Sequence, residues 1–221
     1  MMSLVVSIRT ALRQAADPSI APGQQEYMKS AMPFLGVRVP AVRALVREAT
    51  RDAIEAPELL DAALALWREA AFREERYAAL VLVALKPLRG DATLLPVHEE
   101  MIRTGAWWDL VDEAAHRLRE IFDVDPELMA VEMRVWADDD DLWVRRAAII
   151  SQIGRRDATD LDVLEYAILA SVEDPEFFLR KAIGWALREY GKHDPDWVRT
   201  FVSEHPELSP LSRREALKNL G

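Results

Sequence analysis

The amino-acid sequence predicts an all-α protein, a solenoid of about six antiparallel helical-pair repeats presenting a concave groove. Three observations predict it. Ala, Leu, Arg and Glu dominate the composition, and all four favour helix. A short frame, one charged residue followed by small and apolar residues, recurs at intervals of 33, 36, 34, 35 and 33 residues. Proline falls between the candidate helices, where it starts or stops them.

The frame reads Arg43-Ala44-Leu45, Arg76-Tyr77-Ala78-Ala79, Asp112-Glu113-Ala114-Ala115, Arg146-Ala147-Ala148-Ile149, Lys181-Ala182-Ile183-Gly184 and Arg214-Glu215-Ala216-Leu217. Two helices of about 12 residues with two short loops need roughly that repeat length. Between them stand Asp17-Pro18, Ala56-Pro57, Lys86-Pro87, Asp125-Pro126, Asp174-Pro175, Asp194-Pro195 and His205-Pro206. The segment from Pro126 to Trp136 carries Leu128, Val131 and Val135 at helical spacing. Asp138 to Asp141 is an acidic loop placed to solvate and cap a helix start. No long linker or low-complexity tract intervenes, so residues 1–221 read as one repeat domain.

Composition bounds the function classes. With no cysteine there is neither a disulfide framework nor a thiolate metal site. Ala78 to Leu85, eight residues bounded by Arg76 and Lys86, reads as a buried helix segment rather than a membrane span. Met1 to Arg13 lacks the pattern of a signal peptide, and the reading is of a cytoplasmic monomer away from the membrane. His98, His116, His193 and His205 are scattered and read as surface or structural residues, so no metal or cofactor is called for. The net charge of −10 suits a solvated acidic surface and opposes a polyanionic partner, unless basic residues segregate to one face.

Stacked repeats align equivalent positions, so the frame predicts a row: Arg43, Arg76, Asp112, Arg146, Lys181 and Arg214. Aromatic residues stand one turn earlier: Phe72, Trp108, Trp143, and Phe177 with Phe178. Such a stripe can follow a phosphate backbone and stack on bases. It can equally be aromatics packing between helices while the charges pair locally. Within Trp107-Trp108-Asp109-Leu110-Val111-Asp112, adjacent tryptophans lie about 100° apart, so one can be core and the other displayed. Trp108 and Asp112 share a face, and an aromatic wall beside a carboxylate suits a cationic group. Gly184 before Trp185 weakens its helix and suggests close approach of another backbone. Trp185 and Arg188 face the same side.

Five motifs run in order over nearly the whole chain: Tyr27-Met28-Lys29 with Phe34-Leu35-Gly36-Val37, Trp107 to Asp112, Trp143 to Ile149, Phe177 to Tyr190, and Leu211-Ser212-Arg213-Arg214-Glu215-Ala216. In these motifs the chain resembles the AlkD-type DNA alkylation repair glycosylases, a family of HEAT-like repeat enzymes. The resemblance implies base excision repair of double-stranded DNA: a monofunctional glycosylase hydrolysing the N-glycosidic bond of cationic N3-alkyladenine or N7-alkylguanine. It places Trp108, Asp112 and Trp185 at the lesion, with Asp112 stabilising the oxocarbenium ion and positioning water. It brings Arg146 and Arg188 to the DNA backbone and makes Tyr27 and Lys29 further DNA contacts, while the basic row adds Lys181 and Arg214. Where relatives can carry a basic residue eight positions after the one matching Arg146, this chain has Gly154, followed by Arg155 and Arg156. Two other classes use the same scaffold: a non-catalytic DNA-structure binder, and a protein-interaction solenoid whose binding varies little with salt.

Overall fold

The computed structural model describes residues 3–52 and 54–220; Met1, Met2 and Gly221 lie outside them, so the ends of the expected domain and of its N-terminal stretch are not described. Among the described residues there are thirteen α-helices, two short 3-10 turns and no strand. The chain divides into two compact units at Arg89/Gly90. Among the described residues, no helix is long and apolar enough to cross a membrane.

The first unit holds α1 (Leu4–Gln14), α2 (Ala21–Met28), α3 (Val39–Ala49), α4 (Ala56–Arg68) and α5 (Arg73–Val83). Proline opens α2, α3 and α4, where its missing N–H is harmless. Helix α1 packs on α3, α4 and α5, and the core forms from Ile8, Leu12, Val42, Val46, Leu59, Leu66, Trp67 and Leu80. The apolar run from Ala78 lies mostly buried in α5, as expected.

Two fully buried carboxylates begin α5. Glu74 accepts backbone N–H bonds from Leu35, Gly36 and Val37 at 2.9–3.0 Å. Glu75 binds Arg9 at 3.0 Å and Arg13 at 3.3 Å. Both gain from the positive end of the helix, and neither charge is left unpaired. Glu74 thereby fastens the loop after α2, whose other strap is the Asp17 N–H donating to the Leu35 carbonyl at 2.9 Å. Gly36 has φ +89°, and a Cβ there would lie 2.0 Å from the Asp17 carbonyl oxygen, so only glycine fits.

The second unit holds α6 (Leu95–Gly105), α7 (Trp108–Phe122), α8 (Pro126–Ala137), α9 (Leu142–Ile150), α10 (Leu161–Leu169), α11 (Phe177–Tyr190), α12 (Pro195–Glu204) and α13 (Pro210–Leu217). It repeats the two-helix theme expected from the frame. Helices α7, α9, α11 and α13 pack in succession, while α6, α8 and α12 pair with α7, α9 and α13. The caps follow the sequence: Asp125, Asp141, Asp160 and Asp194 each accept from a backbone N–H of the helix they start. The acidic loop is thus a cap at Asp141, and Asp139 takes a bidentate grip from Arg103. In α8 the helix is where Leu128, Val131 and Val135 indicated, but the buried side is Met129, Met133, Trp136 and Ala137; Val131 and Val135 are exposed. Methionine and tryptophan supply more apolar area than valine, and they win the core side.

His98 on α6 is 3% exposed, and its Nδ1 has no hydrogen-bond partner among the described residues. Burial, with Arg117 adding to it, pushes the imidazole down to about 4. A folded-state value below the unfolded value of about 6.5 means that only the unfolded chain takes up this proton in between. Stability therefore falls as pH drops from about 6.5 to about 4, by about 3 kcal/mol from this group. Urea titrations at pH 7.5, 6 and 5 should show about 2 kcal/mol of that loss, and His98→Leu should flatten it; an unchanged slope in the variant would assign the acid sensitivity elsewhere.

Candidate nucleic-acid site

Helix α7 starts from a tight corner. Ala106 adopts φ +41°, the left-handed region, and ends α6 there; Trp107 is extended and precedes the first turn of α7. The two tryptophans then separate. Trp107 packs against Trp143 of α9 (ring centroids 5.9 Å) and edge-on against Phe178 of α11 (5.3 Å). Trp108 makes no ring contact or hydrogen bond among the described residues, which leaves its indole for another partner. The aromatic residues of the stripe thus include a structural knot joining three helices.

Asp112 lies one turn after Trp108. Arg146 of α9 donates to both of its oxygens, from Nε and Nη2, each at 2.8 Å. The same guanidinium donates from Nη1 to the Phe178 carbonyl at 2.6 Å and lies 6.0 Å from the Phe178 ring centre. Arg146 is 5% exposed. The fork geometry fixes the carboxylate plane and ties three successive helices together.

The third turn of this face carries His116. Its ring meets Trp185 of α11 edge-on at 5.7 Å, which draws Trp185 to the face of α7 that bears Trp108 and Asp112. Burial holds the imidazole below its ordinary range, against the opposing pull of Glu113 and Asp112. His116 was set aside in the sequence with the scattered histidines. Its spacing of four from Asp112 was the available signal, but nothing in the sequence shows that Trp185 arrives beside it.

The other basic positions divide. Lys181 and Arg188, both on α11, share Glu215 of α13 at 3.2 and 2.5 Å. Burial works to raise the Glu215 carboxyl, and the hydrogen bonds from Lys181 and Arg188 outweigh it, holding it below the ordinary range. Arg214 is exposed and carries no ion pair among the described residues. In the first unit, Tyr27 is 73% exposed on α2, a helix with no buried residue, and Lys29 ends that helix at φ +49°. The local-pairing alternative therefore holds for Arg146, Lys181 and Arg188, while Arg214, Tyr27 and Lys29 stand in solvent.

Gly184 permits the α11–α13 contact. A Cβ there would come within 2.5 Å of the Glu215 Cβ and 3.0 Å of the Ser212 carbonyl oxygen. Gly184→Ala should gain about 1 kcal/mol of helix propensity but force the two helices apart, for a net loss of about 1–2 kcal/mol in chemical denaturation. An unchanged midpoint would mean that α13 shifts freely.

Among the described residues, paired helices and a carboxylate–guanidinium pair on the face of α7 that bears Trp108 define the class as a helical-repeat protein. The comparisons give the family. The family model for DNA alkylation repair enzyme matches residues 8–220, and the chain belongs to that family. It is also similar to a solved structure described as a predicted DNA alkylation repair enzyme from Enterococcus faecalis. That similarity has a TM-score of 0.85 and 27% identity, over 93% of this chain and 97% of that one. No curated protein matches the chain.

Proposed function

We propose that the protein is a monofunctional alkylpurine DNA glycosylase acting on bases made cationic by alkylation. The observation that carries this reading is the face of α7. Trp108, Asp112 and His116 follow one another at successive turns, Arg146 sets the carboxylate, and Trp185 closes on His116. Family membership supports DNA repair as the setting.

An alkylated purine leaves with the electron pair of its glycosidic bond and becomes neutral, while positive charge passes to the deoxyribose. A carboxylate held in a fixed orientation stabilises that oxocarbenium ion and aligns the attacking water. The indoles of Trp108 and Trp185 offer cation–π and packing contacts to the sugar and base. Tyr27, Lys29 and Arg214 are exposed groups suited to the DNA backbone, whereas Arg146 acts chiefly by holding Asp112.

The test is release of free base from methylated duplex DNA. Expected products are a free methylated purine and an unbroken strand bearing an abasic site, which alkali then cleaves. Strand breakage without alkali would overturn monofunctional chemistry. Binding without any release would turn the reading to a non-catalytic DNA-structure binder, and absence of both would turn it to a protein-interaction solenoid.

A further inference from the structure

In a chain of net charge −10, a polyanion must be met by cations that the protein has not already used. Around the site of the second unit most are used. Arg117 pairs with Glu120, Arg146 with Asp112, and Lys181 and Arg188 with Glu215. Arg155 is consumed as well. It binds Asp123 at 3.1 Å and Gln152 at 2.9 Å, lies 4.7 Å from the Phe122 ring centre, and its side chain is 7% exposed. Of the arginines that follow Gly154, this one has no free donor face to offer DNA.

Arg119 differs. It is partly buried on α7 and makes no side-chain hydrogen bond or ion pair among the described residues. It stands three residues after His116 and seven after Asp112, so at about 100° per residue it shares their face. Its guanidinium lies over the loop that follows α9: a Cβ on Gly154 would come within 2.8 Å of Arg119 Nη1. Gly154 has φ +94°, so the loop turns there without a side chain and leaves that space to the arginine. The result is a half-buried charged fork whose head makes no hydrogen bond or ion pair among the described residues, on the face of α7 that carries Trp108 and Asp112.

We propose that Arg119 grips a phosphate of the DNA strand beside the lesion, taking its place on the α7 face after Trp108, Asp112 and His116. The inference rests on the glycosylase reading only in requiring that DNA lies along this face. Guanidinium meets phosphate oxygens with two parallel hydrogen bonds, which fixes the strand as well as attracting it. Because the contact is to phosphate, it holds for undamaged and methylated duplex alike.

Binding of the full chain to a short duplex, methylated and untreated, is measured across a salt series for wild type, Arg119→Ala and Arg119→Lys, with folding checked by circular dichroism. Losing one phosphate contact lowers the magnitude of the log–log salt slope by about 0.9. The affinity deficit of Arg119→Ala then shrinks about threefold between about 50 and about 200 mM salt. Arg119→Lys is expected to keep the wild-type slope with weaker binding, since it keeps the charge and loses the fork. A folded Arg119→Ala with wild-type slope and affinity overturns the proposal, even where wild type releases base. A wild type that binds duplex yet releases no base, with the slope still reduced in Arg119→Ala, removes the glycosylase reading and leaves the phosphate contact standing; a wild type that binds no duplex removes both.

Discussion

Asp112→Asn is expected to slow base release from methylated duplex by about 10²–10³-fold, the size seen when one electrostatic stabiliser of a transition state is removed. The amide keeps the size of the side chain and one oxygen for Arg146, but it carries no charge to set against the oxocarbenium ion. The measurement is a single-turnover rate with enzyme in excess, which reports chemistry rather than product release. DNA binding should change far less than the rate, because the DNA ground state carries its positive charge on the base and not yet on the sugar. A variant that releases base at the wild-type rate would move the chemistry away from α7.

Arg146→Met carries the largest expected cost in stability, about 3 kcal/mol or more. The thioether retains apolar contact with Phe178, but Asp112, whose side chain is 15% exposed, loses both 2.8 Å bonds. The charge is then largely buried without a counter-charge, and the Phe178 carbonyl loses its 2.6 Å donor. Combining Asp112→Asn with Arg146→Met should recover part of the loss, since neither charge remains. Urea denaturation of the four proteins gives the coupling directly. Strict additivity would mean that water, not Arg146, solvates Asp112.

How much of this could be read in advance depends on the range of the interaction. Helices were legible because capping aspartates, N-terminal prolines and the 33–36-residue frame act within a few residues. Trp108 and Asp112 were legible as a pair because four residues along a helix is a fixed geometry. The division of Trp107 from Trp108 was half legible: the angle between neighbours requires that they part, but only Trp143 and Phe178, supplied by other helices, decide that Trp107 is the packed one. On α8 the spacing located the helix but not its buried face, because two methionines and a tryptophan outcompeted the valines for the interior.

The basic row shows where local reading ends. A sequence counts Arg146, Lys181 and Arg188 as available cations, yet each has a carboxylate partner 34, 34 and 27 residues away. The buried loop clamp at Glu74 is equally hidden, since its three N–H partners lie 37 to 39 residues upstream. By itself, then, the sequence determined the all-helical repeat and the placing of Trp108 and Asp112 on one face of α7, both products of contacts within one helix or one repeat. Which charges are spent, which ring is displayed, and that His116 meets Trp185 were decided only by tertiary structure, because a charge or ring is committed by whichever partner the packing brings within a few ångströms.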